Sequence, residues 1–171
     1  MMDRAAAWLT THRQLLPSQG PALDVACGRG RHALWLAEQG FLVSAIDRDA
    51  AVLVELAEEA RCRGLSTISA AVVDLEVGGF VLPADAFDVI VVVHYLHRPL
   101  FPRLVDALRP GGVLVYETFT TAQASRGKPT NPDFLLRPGE LLDLVQSLDV
   151  LETREGEFDG RDVASVVARK A

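Results

Sequence analysis

The chain has few cysteines and no long apolar run. Cys27 and Cys62 are the only cysteines among 171 residues. They fall in different predicted elements, so no paired-cysteine metal or redox motif is present. No apolar run is long enough to span a bilayer, and the first residues lack the basic region and apolar core of a signal peptide. We therefore expect a cytoplasmic protein with reduced thiols, no metal site and no membrane contact.

An excess of positive charge is also missing. The formal net charge is −6 and the sequence pI is about 5.2. A nucleic-acid surface needs a basic face, so DNA or RNA is not an expected partner. The length of 171 residues and the hydrophobic content of 49% suit one folded domain. We predict a single domain over 1–171, as a monomer or homodimer, with a helical cap over 1–20.

Apolar runs alternate with helical patterns along the chain. Strands are predicted at 22–26, 41–46, 67–73, 87–93, 113–119, 148–155 and 162–169, helices at 3–16, 30–39, 47–63, 99–108 and 138–147, and a turn at Arg109–Gly112. The run 87–93 is nearly all apolar, as in a central parallel strand covered on both faces. The short connection Gly156–Gly160 makes the last two strands antiparallel neighbours. The alternation predicts a doubly wound α/β sheet with helices on both faces.

Four features fall at strand ends, where the ligands of such sheets bind. The first strand carries Asp24 and breaks into the glycine turn Cys27–Gly30, which opens a helix with free backbone N–H groups. Asp47 ends the second strand, where a carboxylate can accept both hydroxyl hydrogens of a ribose. Asp74–Leu75 ends the third strand, and its carboxylate can accept from an adenine amine. The loop His94–His97 follows the fourth strand.

These segments resemble the ordered motifs of class I S-adenosylmethionine-dependent methyltransferases. The motifs are DVACGRG at 24–30, VVDLE at 72–76, FDVIVVVHYLH at 87–97 and LRPGGVLVYETF at 108–119. Within that family, the pattern DxACGxGRH is most similar to the small tellurite-resistance-type and thiopurine-type enzymes. The segments HRPLFP at 97–102 and GKPTNPDFLLRPGELL at 127–142 are similar to a bacterial branch of that group. The resemblance covers roughly residues 20–171.

The resemblance implies a sheet of order 3-2-1-4-5-7-6, S-adenosylmethionine as cofactor, and methyl transfer by in-line displacement. The small size and the acidic charge of the chain favour a small-molecule acceptor. Asp24 would hold the cofactor's amino group through water, Asp47 the ribose, and Asp74 with Leu75 the base. Arg48 would flank the adenine, and the loop glycines would let the backbone approach the methionine part. Cofactor contacts are thus implied for Asp24, Ala26, Cys27, Gly28, Gly30, Arg31, Asp47, Arg48, Asp74, Leu75, His94 and Tyr95.

His94 occupies the position nearest the sulfonium methyl, where this branch is expected to carry asparagine. Ala26 is a smaller departure, because the wider family often has glycine there. A base is needed only when the nucleophile arrives protonated. His94 and His97 are the candidate catalytic residues, since histidine titrates near neutral pH.

Two other functions fit part of this pattern. The GxGxxA spacing from Gly28 to Ala33, together with Asp47, is also typical of NAD(P)-binding reductases, although no hydride-transfer site is evident. The altered residue at His94 keeps open a non-catalytic module that only binds S-adenosylmethionine.

Residues 120–137 form a long polar segment that contains Gly127, Pro129 and Pro132. Its length and composition are unusual for a connector. The segment is predicted to be either a lid over the substrate or an ordered surface loop.

Overall fold

Seven strands form one sheet in the computed structural model, which describes residues 4–171. They are β1 (Gly20–Val25), β2 (Phe41–Asp47), β3 (Ile68–Val72), β4 (Phe87–Val93), β5 (Leu108–Phe119), β6 (Asp149–Phe158) and β7 (Arg161–Arg169). Their order is β3-β2-β1-β4-β5-β7-β6. The strands β1 to β5 pair in parallel, and β7 runs antiparallel to β5 and β6. The predicted fold class and strand order are confirmed.

Helices cover both faces of the sheet. They are α1 (Ala7–Thr11), α2 (Arg31–Glu38), α3 (Ala50–Cys62), α4 (Phe101–Ala107) and α5 (Glu140–Leu144). Helices α1 to α3 pack in one buried apolar cluster with Val89, Val91 and Val93 of β4. Helices α4 and α5 pack in the other with Ile90 and Val92. This alternation explains the apolar run in β4. Within the described range, no helix has the length and apolar character needed to cross a membrane.

Both terminal helices are shorter than the sequence pattern predicts. For the helix predicted over 3–16, the first residue, Asp3, lies outside the described residues. Its α-helical part ends before His12, whose ring Nδ1 hydrogen-bonds a backbone carbonyl one turn back at 2.7 Å. This side-chain bond competes with the helical hydrogen bonds. The helix predicted over 138–147 covers only five residues, and it starts after Gly139, whose φ of +74° is left-handed.

The predicted turn Arg109–Gly112 is part of β5. Phe87 of β4 pairs with Leu108, and Val89 pairs with Val113, so the residues between the two β5 positions bulge out of register. The glycines of the turn therefore bend an existing strand, as glycines in bulges do. The strand begins earlier than its apolar run indicates.

The last hairpin is tighter than its sequence predicts. The connection predicted over Gly156–Gly160 is shorter in the structure, because β6 continues to Phe158. Only Asp159 and Gly160 form the turn, with φ of +52° and +74°. Positive φ at both central residues is the two-residue turn that matches the twist of paired strands.

The strand order reverses at β1: β2 and β3 are added on one side of β1, and β4 and β5 on the other. Val25 at the end of β1 pairs with Ile46 of β2 on one side and with Val92 of β4 on the other. After β3 the chain crosses over β1 to continue with β4. The carboxyl ends of β1 and β4 therefore border the switch point, where ligands bind in sheets of this kind.

Candidate active site

The loop from β1 to α2 turns on residues with left-handed backbone. Ala26, Gly28 and Gly30 have φ of +52°, +53° and +78°. A Cβ on Gly30 would lie 2.3 Å from Leu56 Cδ1, so the close approach of the loop to α3 requires glycine there. A Cβ on Gly28 would meet no atom within 4 Å. Gly28 therefore leaves open space where a ligand can lie against the main chain.

Asp47 connects this loop to the end of β2. Its Oδ2 accepts a hydrogen bond from Gly28 N at 2.8 Å, and its Oδ1 accepts from Asp49 N at 2.9 Å. Each carboxylate oxygen keeps a second lone pair for a further donor. Asp47 can thus shape the loop and accept hydroxyl groups at the same time.

Asp24 lies beneath the loop and is 1% exposed. Its Oδ2 accepts from Ala33 N at 2.9 Å, which ties β1 to the first turn of α2. Burial raises the pKa of Asp24 to about 7, against the lowering effects of the Ala33 N–H group and Arg31. Cys27 is also buried, and desolvation raises the pKa of its thiol above the usual range. Neither side chain reaches the open surface of the site.

A cavity of about 340 Å³ opens at the carboxyl edge of the sheet. It is lined by Ala26, Asp47, Arg48, Val73, Asp74, Leu75, Glu76, His94, Tyr95, Leu96, Thr118, Phe119, Pro129 and Phe134. This volume is typical of a small-molecule site. Seven residues with predicted cofactor contacts meet here: Ala26, Asp47, Arg48, Asp74, Leu75, His94 and Tyr95.

Six other predicted residues do not line this cavity: Asp24, Cys27, Gly28, Gly30, Arg31 and His97. Arg31 lines a smaller cavity beside His94. His97 follows the lining residue Leu96 and precedes the short 3-10 helix Arg98–Leu100. The part of each in cofactor binding or catalysis stays a prediction.

His94 stands at the centre of the edge, after β4. Its backbone is left-handed, with φ of +58°, and its backbone N–H donates to Glu117 O at 2.8 Å. Its ring stacks on the Phe119 ring, with 4.5 Å between the centroids. Desolvation, and then the positive charges of Arg31 and Arg161, lower the pKa of His94 to about 4. The expectation that this imidazole titrates near neutral pH is therefore wrong. At neutral pH the ring is uncharged, since burial in a positive field disfavours its protonated form.

The loop after β4 is fixed by two tyrosines. Tyr116 Oη donates to the Tyr95 carbonyl at 2.6 Å, and Tyr95 Oη donates to Glu76 Oε1 at 3.4 Å. Burial first, and then the charge of Glu76, raises the pKa of Tyr95 to about 12. Glu76 lines the cavity next to Asp74, and although it ends the motif VVDLE, no role in the site is predicted for it from the sequence.

Part of the cavity wall lies within the sequence motifs, but no role in the site is predicted for its individual residues. It consists of Thr118 and Phe119 at the end of β5, and of Pro129 and Phe134 from the segment that follows. The strand-end rule that selects His94 also applies to β5, and it could have found the first two residues. Pro129 and Phe134 belong to the motif at 127–142, but no local pattern predicts that they reach the site, because tertiary contacts of the segment bring them to the edge.

The segment 120–137 is held at several points. Gln123 Oε1 accepts from Asp162 N at 2.9 Å, and Arg126 forms ion pairs with Asp162 and with Glu157. Arg98 donates to two backbone carbonyls of the segment's second half at 3.1 and 2.9 Å. The segment therefore has ordered contacts with β7 and with the loop after β4. Its movement as a lid stays a prediction.

A family model described as a methyltransferase domain matches residues 22–112, which is more than half of the chain. The chain belongs to this methyltransferase family. The predicted S-adenosylmethionine-dependent class and its cofactor are confirmed at the level of the family. No curated protein matches the sequence.

Solved structures share the fold at low sequence identity. TehB from Haemophilus influenzae has a TM-score of 0.78 and 21% identity over 96% of this chain, which spans 61% of TehB. An S-adenosylmethionine-dependent methyltransferase from Mesorhizobium loti has a TM-score of 0.75 and 21% identity, with 96% and 98% of the two chains covered. The [4+2]-cyclase SpnF has a TM-score of 0.75 and 20% identity, with 95% and 78% covered.

Proposed function

We propose that the chain transfers a methyl group from S-adenosylmethionine to a small-molecule acceptor by in-line displacement. The observation that carries this proposal is the line of Asp74, Asp47, Ala26 and His94 along one cavity, at the ends of four neighbouring parallel strands. The strand order β3-β2-β1-β4 places these four residues in that order along the edge of the sheet. An adenosyl group laid over this line would meet the carboxylates with its base and ribose.

The residues present fit the adenosine half of the cofactor. Asp47 offers free lone pairs to the two ribose hydroxyls, and Asp74 offers an acceptor to the adenine amine. Leu75 is buried beside Asp74 and supplies an apolar contact for the ring. Arg48 also lines the cavity, and its guanidinium can stack on the base.

The loop fits the methionine half. Gly28 borders open space, so the backbone of the loop can contact the ligand. Ala26 lines the cavity at the point where the sulfur would lie. Three residues support the loop from beneath: Asp24 ties β1 to α2, the Cys27 N–H donates to Ile46 O of β2, and Gly30 lets the loop approach α3. These contacts keep the N–H groups of the loop oriented.

The cofactor supplies a methyl group that its positive sulfur already activates. The protein must align the acceptor and keep water away. Phe119, Pro129 and Phe134 supply the apolar wall for this purpose. The uncharged His94 ring offers a lone pair to an acceptor N–H, O–H or S–H group, and it is a weak base. An acceptor atom that is nucleophilic without losing a proton first suits this site best.

The acidic net charge and the size of the cavity favour a metabolite-sized acceptor. We place the protein in the cytoplasm as a monomer or homodimer. His97 is kept as a second candidate base, acting only if the loop His94–His97 rearranges around the acceptor.

Calorimetry with S-adenosylhomocysteine and NADH tests the cofactor. We expect saturable binding of S-adenosylhomocysteine and none of NADH, because the cavity that adjoins the site at His94 measures only about 80 Å³, too little for a nicotinamide nucleotide. The NAD(P) reductase alternative predicts the reverse. Undetectable binding of S-adenosylhomocysteine at millimolar concentration would remove the proposal.

A binding module without catalysis is the second candidate. It rests on the histidine at position 94, and the fold shared with the [4+2]-cyclase SpnF shows that the fold alone does not determine the reaction. Cofactor carrying a tritiated methyl group, incubated with the protein and a small-molecule extract, separates the two. An enzyme produces labelled product in proportion to time, whereas a module only retains labelled cofactor.

A further inference from the structure

A second, smaller cavity shares His94 with the first. It measures about 80 Å³ and is lined on its polar side by Arg31, Arg154, Arg161, Glu117 and Asp159. We call it the arginine cavity. It lies towards β5, β7 and β6, on the side of His94 away from Asp47 and Asp74. His94 is therefore the common wall between the predicted cofactor site and three guanidinium groups.

Arg154 is held in place before any ligand arrives. Its Nη2 donates to Glu117 Oε2 at 3.1 Å, and its guanidinium carbon lies 3.9 Å from the centroid of the Phe158 ring. Glu117 is itself buried and accepts a second hydrogen bond, from Ser165 Oγ at 2.5 Å. The negative charge of Glu117 is thus engaged by Arg154, and Asp159 is the remaining acid of the lining beside the other two arginines.

Within residues 4–171, none of the ion pairs shorter than 4.0 Å involves Arg31 or Arg161. The Arg31 guanidinium donates a hydrogen bond to the Arg4 carbonyl at 3.3 Å. The three arginines and two acids of the lining give a formal charge of +1 (3 − 2). The lowered pKa of His94 reflects this field, because Arg31 and Arg161 are its two largest electrostatic causes.

We propose, on the basis of the proposed methyl transfer, that the arginine cavity binds a carboxylate-sized anionic group of the acceptor. The volume admits a group of a few heavy atoms and no whole metabolite. Planar guanidinium groups pair with a carboxylate through two parallel hydrogen bonds. An acceptor anchored there extends past His94 towards the position of the methyl group. The acceptor is thereby assigned to anionic small molecules.

The anion-binding test uses acetate and its neutral isostere acetamide. Each is titrated at constant ionic strength into protein saturated with S-adenosylhomocysteine, and the His94 ring signal is followed by NMR. We expect acetate to shift the signal saturably and acetamide to leave it unchanged. Arg161→Gln should weaken acetate binding roughly ten-fold, the loss of one charge-assisted hydrogen bond.

Arg169→Gln is the matched control, because Arg169 lies on the same strand at the opposite edge and loses the same charge. Equal effects of the two variants, or equal effects of acetate and acetamide, would overturn the proposal. The cofactor's own carboxylate is the competing occupant. Arg161→Gln can be tested against S-adenosylhomocysteine and against 5′-methylthioadenosine, which lacks the amino-acid end. If the variant binds the first more weakly and the second equally well, the cavity holds the cofactor's carboxylate and the proposal is wrong.

The same titration without S-adenosylhomocysteine separates this proposal from the proposed function. Acetate binding that depends on Arg161 in a protein that fails to bind S-adenosylhomocysteine would contradict the methyltransferase and leave an anion site. Binding of S-adenosylhomocysteine with no acetate effect in either titration would retain the methyltransferase and exclude the anionic acceptor.

Discussion

Asp47 combines two tasks in one carboxylate. It accepts the N–H groups of Gly28 and Asp49, and in the proposed complex it also accepts the ribose hydroxyls. Asp47→Ala removes all these acceptors at once. We expect S-adenosylhomocysteine to bind about 1–3 kcal/mol more weakly, because hydroxyl groups are left without a charged partner. Calorimetry measures the loss.

Asp49→Ala is the control for this prediction. Asp49 is an exposed neighbour that caps α3 through Ala51 N at 2.9 Å, and its removal changes the net charge equally. It should lower stability through the lost cap and leave cofactor affinity unchanged. If both variants weaken binding to the same degree, Asp47 acts through overall charge and the ribose contact is contradicted.

His94 shows why a residue's role in a site depends on its surroundings. An isolated histidine titrates near neutral pH, but this one is desolvated and faces two arginines. We expect its NMR signal to show an uncharged ring down to about pH 5, above its pKa of about 4. Arg161→Gln should move the midpoint upward, since one positive charge is removed. A midpoint near 6.5 in the unaltered protein would refute this account.

At the level of elements, patterns that depend on burial were predictable and patterns that depend on distant partners were not. The run 87–93 predicted the central strand because both faces of β4 are covered. The ends of α1 and β5 were missed. A side chain of His12 ends the first, and pairing with Phe87 extends the second. The carboxylates of the site were predictable because they end strands, whereas Pro129 and Phe134 reach it only through tertiary contacts.

The segment 120–137 yields a prediction about protection from trypsin. The bond after Lys128 precedes Pro129, which trypsin does not cut, so the informative bond is Arg126–Gly127. Arg126 is paired with Asp162 and Glu157. If the segment closes over the site, S-adenosylhomocysteine should slow cleavage after Arg126, because the closed segment cannot enter the protease.

The chain contains a matched control bond at Arg63–Gly64. Arg63 is also paired with two acids, Glu59 and Glu38, and it follows α3 at the opposite edge of the sheet. Its cleavage rate should not respond to the cofactor. Equal rates after Arg126 with and without ligand would favour a fixed surface loop, and equal slowing at both bonds would indicate general stabilisation of the fold.

At the scale of the whole molecule, topology gathers residues that lie far apart in sequence. Asp47, Asp74 and His94 are brought to one edge because parallel strands all end there, and the crossover from β3 to β4 places β1 between them. The helices on both faces keep the sheet buried, so its edge is where polar side chains meet solvent. The same burial places Asp24 under the loop as an acid with little access to water.

Asp24 therefore links the stability of the fold to pH. Its pKa is about 7 in the folded protein against 3.8 for an ordinary aspartate, because desolvation disfavours the charged form. The folded state holds this proton more tightly than the unfolded state. The contribution of Asp24 to stability is thus fully present below pH 3.8 and is lost as pH rises towards 7. Asp24→Asn stays neutral and still offers an oxygen to Ala33 N, so it should lack this loss.

Urea unfolding of both proteins across this pH range measures the effect. We expect the variant to gain stability relative to the unaltered protein as pH rises from about 4 to 7, by roughly 1.4 kcal/mol for each step of one in pH. For Glu140→Gln we expect the opposite pH dependence: the variant should lose stability relative to the unaltered protein as pH rises. Arg98 lowers the pKa of Glu140 to about 2, so that carboxylate stabilises the fold above pH 4.5 and loses its effect in acid. A stability difference for Asp24→Asn that is constant with pH would mean that Asp24 is charged in the folded protein, and that the loop above it is wetter than its burial indicates.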